Sequence, residues 1–234
     1  VFDLHDAEGQ CYLFLNIVCL GTDFQMVVFL CEGPGTPKSK QCADAFMMQW
    51  VSWAGWPKDV RFDRGLHNRG YFARMLGAHG ICPHVIGLVS LEQIGKVERK
   101  GGIWNKVAKR VIHQKHVTGE DEMRMLAFCN NSVIKDGARK GGFAPSQWVL
   151  GKCPRSVGDI HDVDEFADMG LVNEKIDPES AFHRLTTMRL GCKEQHAKLD
   201  CSKKVAAVIH RKAAPLPGNY AVGDLSLIHI SEPT

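Results

Sequence analysis

The sequence predicts an α/β fold in which helices cover a mixed β-sheet. Short runs of β-branched and aromatic residues follow one another at the start of the chain, and later runs alternate with amphipathic helical patterns. With 234 residues, of which 44% are apolar, the chain can bury one sizeable core. We therefore expect a five-stranded mixed sheet flanked by helices and followed by a small C-terminal segment.

The first three strands are expected to form consecutive antiparallel hairpins. Residues 1–5, 11–20 and 24–31 are the strand-like runs. Turn signals separate them at residues 8–9 and 21–23, where glycine and polar residues cluster. Strands joined by such short turns pair with each other, so this part of the sheet should be antiparallel.

Helices and strands alternate over the rest of the predicted core. Ser39 and Asn68 are each expected to cap a helix, and Thr118 with Asp121 forms a capping-box-like start for another. In chain order the elements are a helix over 39–54, a strand over 60–62, a helix over 68–76, a strand over 82–86, a helix over 91–116 and a helix after Thr118.

The chain is expected to divide after this core. A Gly-rich and then acidic stretch predicts a linker or peripheral wrap, and the segment behind it predicts a helix over 179–204 and short strands over 205–225. The last ten residues resemble the translated adapter of a transposase-based sequencing library and are left out of the fold. The predicted divisions are 1–137, 138–178, 179–224 and 225–234.

The composition argues against several classes of protein. The formal charge of +3 is too small to indicate nucleic-acid binding by itself, so any such signal must be local. The nine cysteines form no C-x-x-C pair and follow no secretory signal, which predicts reduced intracellular thiols. His113 and His116 have no cysteine pair at zinc-finger spacing and predict a helix surface. No apolar run reaches the roughly 18 residues that span a bilayer.

Two carboxylates stand where acidic side chains of an α/β protein can meet. Asp63 follows a short strand, and Glu98 lies near the start of a helix. Mg²⁺ prefers carboxylate oxygens, and two metal ions about 4 Å apart can clamp the attacking and leaving oxygens of a phosphodiester. Taken alone, each residue is more often a solvated surface group, so the context must distinguish the two interpretations.

The predicted helix around Glu98 is strongly basic. Between Lys96 and His116, Glu98 is the one acidic residue, which suits a metal site flanked by phosphate contacts. The alternative is a solvated basic face. Gly101 and Gly102 could admit a DNA backbone or break the helix. The basic residues are Lys96, Arg99, Lys100, Lys106, Lys109, Arg110 and Lys115. The expected buried stripe is Val97, Trp104, Ala108 and Val111.

Two motifs resemble those of retroviral and gypsy-like long-terminal-repeat retrotransposon integrase cores. Asp63-Arg64-Gly65, with Asn68 and Phe72, is similar to the second-carboxylate motif of that family. The run SLEQIGKVER, over 90–99, is similar to the third, in which a Gly- and Gln-bearing loop leads into the Glu helix. Thirty-four residues separate Asp63 from Glu98, close to the roughly 35 of the family. Segments 143–151 and 222–224 also resemble sequences that follow the core in gypsy-like elements.

The resemblance implies an RNase-H-like core that performs 3′-end processing and strand transfer of retrotransposon DNA. Asp63 and Glu98 would be catalytic and would bind two Mg²⁺ or Mn²⁺ ions, and the loop over 87–95 would position the DNA end. It also implies a homo-oligomer that acts on DNA in the nucleus, with no membrane partner. The residues expected to contact DNA are Gln93, Arg99, Lys100, Lys106 and Lys109.

The chain departs from the family pattern at three places. The first catalytic Asp of the family lies about 63 residues before the second, so the resemblance places it just before Val1 and predicts an N-terminal truncation and an inactive chain. Asp3 should point to the opposite face, and the role is assigned neither to it nor to Asp6. Leu91 replaces a loop Pro, and Gly101 replaces a common Asn. The alternatives are a non-catalytic nucleic-acid-binding relic and a related RNase-H-like nuclease.

Overall fold

Three antiparallel strands open the fold. They follow one another as a meander in which the central strand pairs with both neighbours, as the hairpin pattern predicts. These strands are β1 (Phe2–His5), β2 (Cys11–Val18) and β3 (Gln25–Glu32). The computed structural model describes residues 1–63, 65–68, 70–85, 91–137, 142–152 and 181–210.

Two further strands form a parallel pair of their own. These are β4 (Asp59–Phe62) and β5 (Cys82–Val85). All five predicted strands are therefore present, but the expectation of one continuous five-stranded sheet is wrong for the described residues, which form a three-stranded and a two-stranded sheet. Strands β1 and β4 have four residues each, and β1 borders a cavity that His67 and residues 34–37 also line.

Helices fill the rest of the core close to the predicted limits. The first is continuous through a π-helical turn and ends at Gly55, whose φ of 73° favours glycine. The predicted helix that carries Glu98 runs through Gly101 and Gly102 without a break. The helices are α1 (Ser39–Phe46), the π-turn (Met47–Val51), α2 (Ser52–Ala54), α3 (Tyr71–Ala78), α4 (Leu91–Lys115), α5 (Gly119–Gly137), α6 (Pro145–Leu150) and α7 (Ala181–His210), with a 3₁₀ turn over Leu66–Asn68.

Trp104 of α4 is the centre of the core beneath the first sheet. Its side chain is fully buried, and its ring lies 5.5 Å from that of Phe2 and 5.8 Å from that of Phe14. Ala108 and Val111 are buried on the same face, while Val97 is partly buried, which confirms the predicted stripe. The face of β1 that carries Phe2 therefore looks towards α4.

A buried amide ties α5 to both α4 and β3. Asn131 Oδ1 accepts hydrogen bonds from the backbone N–H of Val27 (3.0 Å) and from Trp104 Nε1 (3.1 Å). Its Nδ2 donates to the Val27 carbonyl at 2.8 Å. The amide thus satisfies both backbone groups of one β3 residue and an indole N–H in the core.

The predicted helix caps have different partners in the structure. Ser39 lies inside α1, and its Oγ accepts the Phe72 N–H at 2.9 Å, so it satisfies an end group of α3. Asn68 precedes α3 by too many residues to cap it, because Gly70 holds the cap position. At the start of α5, Glu122 and not Asp121 reaches back, accepting the Thr118 N–H at 2.8 Å.

Asp6 joins the β1–β2 turn to the start of α5. Its Oδ1 accepts the N–H groups of Glu8 (3.0 Å) and Gln10 (2.9 Å), and its Oδ2 accepts that of Gly119 (3.0 Å). Burial raises the pKa of Asp6, but the hydrogen bonds from Gly119, Gln10 and Glu8 outweigh it and hold the pKa below its usual range. Asp6 is a structural carboxylate.

Replacing Asp6 by Ala is expected to lower the free energy of unfolding by roughly 2 kcal/mol at neutral pH, since three N–H donors lose their acceptor. Because the pKa is lower in the folded state, the carboxylate stabilises the fold above the unfolded pKa of about 4, and this contribution is lost as the pH falls further. Urea unfolding at several pH values should show the difference between the two chains shrinking below about pH 4. Glu8→Ala, in the same exposed turn, should change little, and an equal effect of both variants would contradict the assignment.

The helix α7 begins against the core. Arg184 forms a bidentate pair with Glu122, with Nε–Oε1 2.6 Å and Nη2–Oε2 2.8 Å, and donates to the His116 carbonyl at 3.1 Å. The helix predicted over 179–204 is confirmed, but the strands predicted from Val205 are wrong as far as His210, where the chain is still helical. None of the helices described is both long and apolar enough to cross a membrane.

Close contacts group the chain into two units, Val1–Lys198 and Leu199–Thr234. The predicted linker falls largely on residues 153–178, which lie outside the described residues, as does the adapter-like end over 225–234. The predicted domain divisions therefore stay predictions.

Candidate active site

Asp63 lies at the end of β4 in a tight turn that fixes one of its carboxylate oxygens. Oδ1 accepts the Gly65 N–H at 2.9 Å and Asn68 Nδ2 at 2.6 Å. The side chain is 54% exposed, and its Oδ2 has no hydrogen bond to any described residue. The turn therefore orients Asp63 while leaving one oxygen open for a ligand. The sequence pattern suggested Asn68 as a helix cap, but its contact makes it a positioning residue for Asp63.

Gly65 is required by the packing of this turn. A Cβ at Gly65 would lie 2.4 Å from His67 Cε1 and 2.9 Å from Asp63 Oδ1. A side chain here would displace both the imidazole and the carboxylate. The glycine of the Asp63-Arg64-Gly65 motif thus has a steric role in holding Asp63; Arg64 itself lies outside the described residues.

His67 connects Asp63 with the start of β1. Its Nε2 lies 3.9 Å from Asp63 Oδ1, and its ring lines a cavity of about 330 Å³ together with Val1. Burial lowers the pKa of His67 and outweighs the opposite effect of Asp63. Asp63 therefore lies beside the beginning of β1. Neither His67 nor this link was predicted from the sequence.

Glu98 is exposed on the second turn of α4, and that turn is fixed to β2. Asn16 Nδ2 donates to the Val97 carbonyl at 3.1 Å, and Asn16 Oδ1 accepts Gln25 Nε2 at 2.9 Å. Gly101 makes this approach possible, because a Cβ there would lie 2.9 Å from Asn16 Nδ2. Of the two roles left open for Gly101, a break in the helix is wrong, since α4 is continuous, and the approach of a DNA backbone stays a prediction.

Asp63 and Glu98 are linked to the first sheet by separate contacts. No hydrogen bond joins them within the described residues, but His67 places Asp63 beside Val1, and Asn16 places Glu98 beside β2. The β1–β2 register pairs Phe2 with Phe14, so its continuation sets the position before Val1 opposite Asn16.

Asp3 cannot be placed on the face that looks towards α4. It alternates with Phe2 and lies on the other face of β1 with His5, whose Nδ1 is 3.9 Å from Asp3 Oδ2. Asp6 is held by backbone N–H groups, as described above. Neither residue therefore completes a carboxylate site with Asp63 and Glu98.

The predicted DNA-contacting residues divide into two sets. Arg99, Lys106 and Lys109 are exposed and make no hydrogen bond or ion pair with other described residues. Lys100 is only 17% exposed and is paired with Asp23, at 3.7 Å from its carboxylate and 3.3 Å from its carbonyl. Because its ammonium group contacts Asp23 in the β2–β3 turn, the Lys100 side chain has little reach towards a phosphate.

Gln93 lies in the first turn of α4, and its side chain is outside the described part of the chain. The loop expected over 87–95 is helical from Leu91 onwards, while residues 86–90 are not described. Its expected role at a DNA end stays a prediction.

The carboxylate oxygens of Asp63 and Glu98 are ligands of the kind that a hard divalent cation prefers. Carboxylates suit Mg²⁺ and Mn²⁺, and Asp63 offers an open oxygen. In the part of the chain that the structure describes, however, the one group of three metal-binding side chains within 4.8 Å of one another is Asp3, His5 and Cys11. Among the described residues, no third metal-binding side chain therefore joins Asp63 and Glu98 in such a group.

The described fold, a three-stranded antiparallel sheet and a parallel pair covered by helices, is similar to the fold of retroviral integrase catalytic cores. It is similar to the integrase catalytic core domain of HTLV-2 in complex with magnesium, in its trimeric form, with a TM-score of 0.50 and 16% identity over 64% of this chain and 91% of that one. It is also similar to the simian T-cell lymphotropic virus intasome in complex with PP2A regulatory subunit B56 gamma, with a TM-score of 0.53 and 13% identity over 68% of this chain. This chain spans 56% of the length of that one.

Comparisons at the level of sequence give no further identification. No protein-family model matches the chain, and no curated protein matches it. At 13–16% identity the structural likeness establishes the fold, and the activity has to be argued from the site.

Proposed function

We propose that the chain is the catalytic core of a long-terminal-repeat retrotransposon integrase, an enzyme that processes and joins DNA ends. The observation that carries the proposal is the geometry of Asp63, which Gly65 and Asn68 hold beside the start of β1 with one oxygen open. The likeness of the fold to integrase catalytic cores supports it.

Asp63 and Glu98 would bind Mg²⁺ or Mn²⁺ together with a third carboxylate. We propose that this third ligand is an Asp directly before Val1, since the β1–β2 register sets that position opposite Asn16, next to the turn that bears Glu98. Bound metal ions, two by the family resemblance, would neutralise charge on the phosphate and lower the pKa of the attacking hydroxyl or water. Asn68 orients Asp63, and Asn16 fixes the helix turn of Glu98.

The DNA backbone would lie along the exposed face of α4. Arg99 and Lys106 are seven residues apart, which places them two turns apart on one side, and Lys109 follows one turn later. These three cations span about 15 Å of helix axis, with Gln93 as a predicted further contact. Lys100 is left out of this set because Asp23 holds it.

The proposed reactions are 3′-end processing by water and strand transfer by a 3′-hydroxyl, both in-line attacks on phosphorus. The partners would be retrotransposon ends, target DNA and further copies of the chain, and the site of action would be the nucleus. The rival proposal is a DNA-binding relic without catalysis. A relic would bind DNA through the same basic face of α4 and would differ from an active enzyme only at the metal site.

The simultaneous replacement of Arg99, Lys106 and Lys109 by Ala tests the DNA interface. Affinity for duplex DNA should fall to a similar extent for unrelated sequences, and the slope of log K against log salt should flatten by about 0.9 per lost phosphate contact, or about 2.7 for three. Fluorescence anisotropy over a range of salt concentrations measures both quantities.

Lys100→Ala is the matched control, because it removes a cation from the same helix that is already paired within the protein. It should leave the salt slope unchanged. Thermal unfolding of the triple variant should match the parent, since its buried stripe is intact. An unchanged slope in the triple variant would remove the DNA-binding role of this face.

A further inference from the structure

A second group of metal-binding side chains lies on the face of β1 that looks away from α4. His5 and Cys11 are direct cross-strand partners, and Asp3 is two residues from His5 on the same side of the strand. Their imidazole nitrogen, sulfur and carboxylate oxygen all lie within 4.8 Å of one another. Ligands of a tetrahedral zinc ion are about 3.3 to 3.8 Å apart, so small side-chain rotations would bring these atoms to ligand distances.

The donor atoms of this group differ in kind from those of Asp63 and Glu98. One thiolate, one imidazole and one carboxylate form a borderline-soft set, which favours Zn²⁺ or Co²⁺ over Mg²⁺. The side chains of Asp3 and His5 are 65% and 55% exposed, so an ion can reach them, whereas Cys11 is buried. The strand register therefore presents two accessible ligands next to one sheltered from solvent.

The cavity beside this group supplies room for a further ligand. All three residues line the space of about 330 Å³ that His67 also lines. Three protein ligands with an open fourth position are typical of zinc sites that bind an exchangeable water or a small anion, whereas purely structural zinc sites have four protein ligands. His67, which also lines the cavity, can donate or accept a hydrogen bond at such a ligand.

We propose that Asp3, His5 and Cys11 form a binding site for one Zn²⁺-like transition-metal ion, with an open coordination position that faces the cavity. The site is separate from the proposed Mg²⁺ ligands, since it lies on the face of β1 opposite α4 and uses none of their oxygens. Its existence does not depend on the proposed integrase activity.

Titration of the full chain with Co²⁺ tests this site without DNA. A thiolate ligand gives a near-ultraviolet sulfur-to-cobalt charge-transfer band, and tetrahedral coordination gives intense visible bands. We expect one equivalent of Co²⁺ to produce both, Zn²⁺ to abolish them by displacement, and excess Mg²⁺ to leave them unchanged.

Ligand variants assign the spectrum to residues. Cys11→Ser should abolish the charge-transfer band, and the exposed substitutions His5→Ala and Asp3→Asn, which leave the core intact, should each weaken Co²⁺ binding at least about 100-fold. The control is His84→Ala, because His84 Nε2 lies 3.4 Å from Asp59 Oδ1 in a similarly exposed pair on the other sheet. It should change nothing.

Three outcomes would overturn the proposal. The first is the absence of a thiolate band at one equivalent of Co²⁺, and the second is a band that persists in both His5→Ala and Asp3→Asn. The third is loss of Co²⁺ binding in the His84→Ala control, which would place the site on the second sheet.

Discussion

With an aspartate added directly before Val1, the chain is expected to join DNA ends in the presence of Mg²⁺, whereas residues 1–234 alone are expected to be inactive. Two carboxylates rarely hold two hard cations without a third ligand. In the extended chain, Asp63→Asn should lower the rate of strand transfer by about 10³-fold or more, because the metal ions supply several kcal/mol of transition-state stabilisation. A gel assay with labelled DNA ends measures the joining.

Two variants of the extended chain, Asn68→Ala and Asp59→Asn, distinguish the orientation of Asp63 by Asn68 from a general effect of losing negative charge near β4. Asn68 donates a hydrogen bond to Asp63, and we propose that it acts through Asp63 alone, so its loss should raise the Mg²⁺ concentration needed for half-maximal rate by roughly 10- to 100-fold. Asp59 is an exposed carboxylate on the same strand and should tolerate the change. If residues 1–234 alone joined DNA, the proposal that the third metal ligand precedes Val1 would be wrong, and Asp3 would again be a candidate catalytic residue. An extended chain that binds DNA but never joins it would favour the relic.

Asn131→Ala is expected to lower the free energy of unfolding by about 3 to 5 kcal/mol. The substitution leaves the N–H and C=O of Val27 and the indole N–H of Trp104 without partners in the core. Each buried unsatisfied group costs about 1 to 3 kcal/mol. Urea denaturation followed by tryptophan fluorescence measures the loss.

Asn105→Ala is the matched control, because Asn105 lies on α4 with a buried Oδ1 that has no hydrogen-bond partner among the described residues. Its removal should change the stability by less than about 0.5 kcal/mol, since Ala is also the better helix former. Equal losses in the two variants would show that Asn131 acts through its volume and not through its hydrogen bonds.

The local pattern of the chain predicted the elements well and their assembly less well. The hairpin strands and the limits of α4 follow from periodicity and turn residues, which are local properties. His67 and residues 34–37, which line the cavity beside β1, come from distant parts of the chain. Long-range placement of this kind leaves no periodic signal.

The capping predictions failed for a related reason. Ser39 and Asn68 have the right residue type before a helical pattern, but their side chains serve Phe72 and Asp63. A short polar side chain satisfies whichever donor or acceptor the fold brings near, and sequence alone does not say which. The prediction of strands from Val205 is wrong as far as His210, because β-branched residues also occur in helices.

The candidate site was predictable in its chemistry and only partly in its geometry. The Gly65 N–H donates to Asp63 Oδ1, and this contact joins residues only two positions apart. The motif therefore contains the residues that orient Asp63. Lys100 was expected to face DNA because its helix is basic, but its partner, Asp23, is 77 residues away. A charge count along one helix does not reveal which cations are already neutralised.

The contact between Asn16 and the Val97 carbonyl sets which changes the chain can tolerate over evolutionary time. The anchor lies on the C-terminal side of Lys96, so it fixes the turn that carries Glu98 independently of the conformation of the segment before Lys96. A Cβ at position 101 would lie 2.9 Å from Asn16 Nδ2, so a larger residue there requires the Asn16 side chain to move. A chain with Asn at position 101, which is common in the family that the sequence resembles, should therefore carry a different residue or a different side-chain conformation at position 16.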